Sequence, residues 1–108
     1  MTAYAVGRFH TIDMGPELVE YLQAIDRTLA PFDGRFLVHG ASPTVLEGEW
    51  HDDLVVIAFP DLQGAQDWYR SPAYQQILPL RLAHAQGNVI LVDGVDASHR
   101  ATDILPAH

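Results

Sequence analysis

The spacing of apolar and polar positions changes along the chain, and each change marks an element. Residues 4–10 alternate: Tyr4, Val6, Arg8 and His10 fall on one side, Ala5, Gly7 and Phe9 on the other. That period of two predicts a strand. After a turn at 11–15, Pro16 suits a first helical position. Leu18, Tyr21, Leu22, Ile25 and Leu29 then recur at helical spacing, with Glu17, Glu20, Gln23, Asp26 and Arg27 toward water. Pro31 ends this helix, and Asp33-Gly34 is a turn. Residues 35–39 predict a second strand, with Arg35, Leu37 and His39 on one face and Phe36 and Val38 on the other. Gly40 to Pro43 is a loop, and 44–50 has extended propensity, as a continued strand or a short hairpin arm.

Residues 54–59 are apolar on both faces, which predicts a central strand covered on both sides. Asp61 caps a helix carrying Leu62, Ala65, Trp68 and Tyr69. Ser71-Pro72 starts a second helical run with Tyr74, Ile77 and Leu78. Pro79 is expected to kink or restart it. Gln86-Gly87-Asn88 ends the helical pattern, and residues 89–92 form the last strand. The order β-α-β-β-α-β folds most compactly as an α+β domain with an antiparallel four-stranded sheet and its helices on one face, a ferredoxin-like fold. The domain spans 1–94, and 95–108 is a polar tail in which only Ile104-Leu105 is apolar. One sheet face is left bare, and a second copy of the chain is its simplest cover. Two such sheets enclose a barrel-like interior.

Composition narrows the chemistry. The chain has 108 residues, 48% hydrophobic and 19% charged, the balance of one folded domain. There are no cysteines, which excludes disulfides, thiolate metal sites and a thiol nucleophile. The net charge is -8 and all six basic residues are arginine, so a nucleic acid or an anionic membrane is not an expected partner. No apolar run approaches a membrane span, and the first residues lack the pattern of a signal peptide; a cytoplasmic protein is expected. No phosphate-binding glycine loop, nucleophile elbow or dinucleotide fingerprint occurs.

Three motifs in order are Leu46-Glu47-Gly48-Glu49-Trp50, Phe59-Pro60 and Trp68-Tyr69-Arg70-Ser71-Pro72-Ala73-Tyr74. They follow Asp33-Gly34-Arg35-Phe36-Leu37-Val38-His39-Gly40 and precede Leu80-Arg81. On these residues the chain resembles a family of small bacterial proteins catalogued as a domain of unknown function, within the dimeric α/β-barrel superfamily. The resemblance covers nearly everything before the tail. It implies a homodimer and carries no established reaction. The wider superfamily mixes cofactor-independent monooxygenases, isomerases, haem-degrading and dechlorinating enzymes, and binding proteins. The family usually has Gly-Gly where this chain has Asp33-Gly34, and often an acid where it has Ala58.

The polar strand faces hold Tyr4, Arg8, His10, Arg35 and His39, which would line a barrel interior suited to an anionic or carbonyl-bearing ligand. The alternative is an interchain hydrogen-bond network. His39 and His10 are the candidate proton carriers, since histidine titrates near neutral pH. The alternative is a structural hydrogen bond, the commoner role of a lone strand histidine. Arg8, Arg35, Glu47, Trp50, Tyr69, Tyr74 and Arg81 are the candidate ligand contacts. Trp50 and Trp68 also suit packing. Glu47 reads as a base or as an anchor for Arg35 or Arg81. Arg81, between Leu80 and Leu82, reads as an anion anchor or as half of a salt bridge to Glu47 or Asp67. No ligand spacing supports a metal, and no cofactor is expected. His51, His84, His99 and His108 read as surface or tail residues.

Three functions follow from these residues. The preferred one is a protein that binds a small molecule between the sheet and the 68–81 segment. The second is a cofactor-independent monooxygenase or isomerase acting on a small aromatic or carbonyl compound, and the third is an assembly module without ligand.

Overall fold

The computed structural model describes residues 1–106; His108 lies outside them. Strand β1 (Ala3–Ile12) is followed by helix α1 (Pro16–Leu29) and a single 3-10 turn (Ala30–Phe32). Strands β2 (Arg35–Val38) and β3 (Asp53–Phe59) come next, then α2 (Leu62–Arg70), α3 (Pro72–His84) and β4 (Ala85–Asp93). The sheet is antiparallel in the order β2-β3-β1-β4. This is the ferredoxin-like α+β arrangement that the element order predicts, with β3 central.

The core lies between one sheet face and the helices. Ala5, Ile57 and Phe59 of the sheet meet Leu18, Tyr21, Ile25 and Leu29 of α1, Ala65 and Trp68 of α2, and Tyr74 and Leu78 of α3. Two side-chain caps place the helical half of this core. Asp61 Oδ1 accepts from the Gly64 N–H at 2.6 Å and starts α2. Ser71 Oγ donates to the Trp68 carbonyl at 2.7 Å, ending α2, and accepts from the Tyr74 N–H at 3.3 Å, starting α3. Trp68 is thereby fixed, and its Nε1 donates to Thr28 Oγ1 of α1 at 3.0 Å.

Four local expectations are corrected. Residues 44–50 form neither a continued strand nor a hairpin arm; 39–52 is an irregular connection. β4 begins at Ala85, so Gln86-Gly87-Asn88 belongs to the strand and not to a helix end. Helix α3 runs through Pro79 without a restart. Pro79 and Gln75, whose carbonyl loses its donor, are both exposed, so water can satisfy that carbonyl.

The fourth correction concerns register. Arg35 pairs with Ala58 and Phe36 with Ile57, but Val38 pairs with Val56. Leu37 is the extra residue of a β-bulge, and beyond it the strand's two faces exchange. Val38 therefore joins Val56, Val6 and Ile90 in one row across the face turned away from the helices. A second bulge falls between Phe9 and Thr11 of β1. Opposite it, a Cβ on Gly87 would stand 2.1 Å from the Arg8 carbonyl oxygen, so only glycine allows β4 to approach there.

Candidate functional site

A cleft opens between the helix-facing side of the sheet and helices α1 and α3. Its inner part is a cavity of about 70 Å³ bounded by Ala5, Phe36 and Ile57 of the sheet and by Trp68 and Tyr74. An outer groove of about 350 Å³ continues toward Ile12, Met14 and Asp53. Phe9, Tyr21, Leu22, His39 and Arg81 border both parts, so the two form one space.

Arg81 is the charged group of the inner wall. It is 8% exposed and makes no ion pair among the described residues. Neither Glu47 nor Asp67 neutralises it. Glu47 is exposed in the 39–52 connection, and Asp67 Oδ1 accepts from Gln63 Nε2 at 2.8 Å. The expected salt bridge is therefore absent, because the connection carrying Glu47 does not fold back onto α3. In its place the guanidinium carbon lies 5.5 Å from the Phe9 ring centroid, and phenol groups supply the polar surroundings. Burial works against the charge of Arg81; Tyr74 and Tyr21 hold its pKa above the ordinary arginine value chiefly as phenolates, at the alkaline pH where arginine titrates, so at neutral pH the guanidinium faces uncharged phenols. The Tyr21 and Tyr74 hydroxyls are 2.8 Å apart. Burial, and then Tyr74, push the pKa of Tyr21 well above the usual phenol range, so Tyr21 keeps its proton and remains a donor.

His39 enters the cleft from the opposite side. Sequence alternation puts it with Arg35; the Leu37 bulge turns it the other way. Its ring stacks on Phe36 with centroids 4.4 Å apart and an interplanar angle of 18°. Tyr69 does not border the cleft but backs Tyr74, centroid to centroid 5.5 Å. Of the expected site residues, the fold thus brings His39, Tyr74 and Arg81 together, with Tyr69 behind them. Tyr21, Phe9 and Trp68 join them although their spacing reads as packing. A hydroxyl on an otherwise apolar helix face, as Tyr21 carries, is the signal that points to a buried partner.

The remaining expected residues lie elsewhere. Arg8 donates through Nε to Asp52 Oδ2, and its guanidinium carbon sits 4.1 Å above the Trp50 ring. Trp50 Nε1 donates to the Asp52 carbonyl at 2.8 Å. This trio fastens the end of the 39–52 connection to β1. His10 falls at the β1 bulge, exposed, with Nδ1 2.9 Å from Thr11 Oγ1. Arg35 is exposed beside Ala58 on the sheet face away from the helices, so an acid in place of Ala58 would not face the cleft. Among the described residues no three His, Asp or Glu side chains converge as a metal site. No helix among them is long and apolar enough to cross a membrane.

Residues 2–95 match the model of a family described as a domain of unknown function (DUF1330). No curated protein matches the chain. Among solved structures, a protein of unknown function from Rhodopseudomonas palustris, RPA0582, is similar with a TM-score of 0.66 and 15% identity. That match covers 88% of this chain and 83% of the other. SnoaB, a cofactor-independent oxygenase from Streptomyces nogalater, has a TM-score of 0.53 at 14% identity, over 92% of this chain and 98% of its own. A dimeric ferredoxin-like protein of unknown function from Thermobifida fusca has a TM-score of 0.53 at 15% identity, over 85% and 88%. At these identities the likeness is one of fold.

Proposed function

The chain belongs to the DUF1330 family, and we propose that it is a homodimer whose protomers each bind a small anionic or carbonyl-bearing molecule in the cleft between the sheet and the 68–81 segment. One observation carries this reading: Arg81 is buried at the cleft without a carboxylate among the described residues to neutralise it. An uncompensated buried cation costs stability, and a ligand bearing negative charge or a polarisable oxygen would offset that cost. One cation with two phenol hydroxyls suits one oxygen or one carboxylate better than a phosphate ester, which needs more positive charge. The walls are aromatic, so the rest of the ligand is flat and apolar.

The dimer reading rests on the opposite sheet face. The row Val38, Val56, Val6 and Ile90 is apolar and uncovered, and Ile90 is 56% exposed. Arg8 and Arg35 flank it, which gives the apolar centre and polar rim of an interface between copies.

The test is a thermal-shift screen of small carboxylates, phenols and aryl ketones against the wild type and Arg81→Met. A ligand at a hundredfold excess over its Kd stabilises the folded state by about 2.7 kcal/mol. A shift with one ligand class that is lost in Arg81→Met supports the reading. No shift with any class, from a protein shown to be folded and dimeric, overturns it.

A further inference from the structure

We infer that the cleft catalyses enolisation of a flat ring-fused ketone whose enolate is conjugated with the ring: the Leu37 bulge turns His39 into the cleft as the base that removes a proton from the carbon beside the carbonyl, and Arg81 with the Tyr21–Tyr74 pair holds the resulting enolate oxygen. This rests on the binding reading above and adds a reaction to it.

The two halves of such a reaction are already in place. Bulges commonly re-aim a side chain beside a functional site. Here the extra residue, Leu37, sends Val38 outward and His39 inward. The imidazole is exposed at the mouth, unpaired with any carboxylate among the described residues, and held flat on Phe36. Histidine is the side chain that accepts and returns a proton near neutral pH. The other half is a charge sink. Arg81 is a cation in a dry wall, and Tyr21 is a donor that keeps its proton. Preformed positive charge and hydroxyl donors stabilise a developing oxyanion far better there than in water. Asp53 is the carboxylate bordering the cleft; it sits in the outer groove and does not border the inner cavity.

The step balances without oxidant or reductant. The imidazole nitrogen takes the proton from carbon. The C–H electron pair becomes the C=C bond, and the carbonyl π pair moves onto oxygen opposite Arg81. The imidazolium then returns a proton to the same carbon or to a conjugated one. Planar walls favour a ketone whose enolate is conjugated with a ring.

The probe is 2-tetralone in D2O. Deuterium incorporation beside the carbonyl is followed by mass spectrometry, and binding by calorimetry, for the wild type, His39→Gln and Arg81→Met. His39→Gln alters an exposed side chain and should leave the fold intact. The expected result is exchange faster than in buffer alone, with His39→Gln slowing it about 10²-fold or more while Kd changes less than about threefold. Arg81→Met should lose both binding and exchange. Binding of 2-tetralone without exchange above buffer, or exchange that survives in His39→Gln, overturns the catalytic inference and leaves the binding site. Binding of carboxylates or phenols but not of 2-tetralone does the same. Failure of all these compounds to bind overturns both.

Discussion

Replacing Arg81 with methionine should leave the fold as stable as the wild type or stabilise it, while abolishing ligand binding. The side chain is 8% exposed, its volume is nearly matched by methionine, and no carboxylate pairs with it among the described residues. Two favourable contributions are lost. The Phe9 contact lies at 5.5 Å, near the outer limit for a cation–π interaction, and is worth about 0.5–1 kcal/mol. Polar contact with the tyrosine hydroxyls adds about 1–2 kcal/mol. Against these stands the desolvation of one cation, an effective penalty of several kcal/mol. The opening of the cleft reduces that penalty without removing it. The balance is a gain of about 0–2 kcal/mol, or a rise in Tm of up to about 10 °C for a domain of this size. Urea melts at fixed protein concentration measure it, with sedimentation confirming that the oligomer is unchanged. A loss of more than about 2 kcal/mol would refute the reasoning, since Arg81 would then be a structural keystone and not a group kept for a ligand.

Three further outcomes follow from the same structure. Gly87→Ala should destabilise the fold by about 2 kcal/mol or more, because the new Cβ meets the Arg8 carbonyl oxygen at 2.1 Å and a backbone atom cannot step aside; a urea midpoint within error of the wild type would contradict it. Ile90→Asp places a charge at the exposed end of the Val38–Val56–Val6–Ile90 row, so sedimentation should show the dimer dissociating by about tenfold or more in Kd, and an unchanged dimer would remove that face as the interface. Stability should fall as pH rises above about 10: burial and Tyr74 raise the pKa of Tyr21 above the ordinary 10.0, so the unfolded chain releases a proton there that the folded protein keeps. The loss approaches about 1.4 kcal/mol per pH unit, and Tyr21→Phe should flatten it; an alkaline slope identical in the variant would show that another group is responsible.

The fold was largely legible because its elements carry strong local signals. Pro16 and Ser71-Pro72 mark helix starts, Leu18 to Leu29 keeps one helical face, and the doubly apolar 54–59 segment can only be a central strand. The register inside β2 was not legible. Arg35-Phe36-Leu37-Val38-His39 reads as a clean alternation, and nothing in its composition announces an extra residue. The bulge arises from pairing with β3: Phe36 is held opposite Ile57 by the core, and Val38 completes the apolar row on the other face. One unpaired residue between them satisfies both. The 39–52 connection misled for a related reason. Its extended propensity at Thr44 and Val45 goes unused, and Arg8 claims Trp50 and Asp52 instead.

That bulge also ties the two faces of the sheet together. Val38 and His39 are consecutive, yet one belongs to the proposed subunit interface and the other to the cleft. Any slip of β2 along β3 by one residue would expose Phe36, withdraw Val38 from its row and turn His39 away from Arg81 in a single step. Interface and cleft therefore share one determinant of geometry, the register of four residues on an edge strand. A short strand of this kind has few hydrogen bonds of its own to hold it. Its register rests on what covers each face: the core and the cleft on one side, and on the other the second copy proposed above. In the proposed dimer, pressure on Val38 would fix the backbone from which His39 projects, so assembly on one face would preorganise the proposed chemistry on the other.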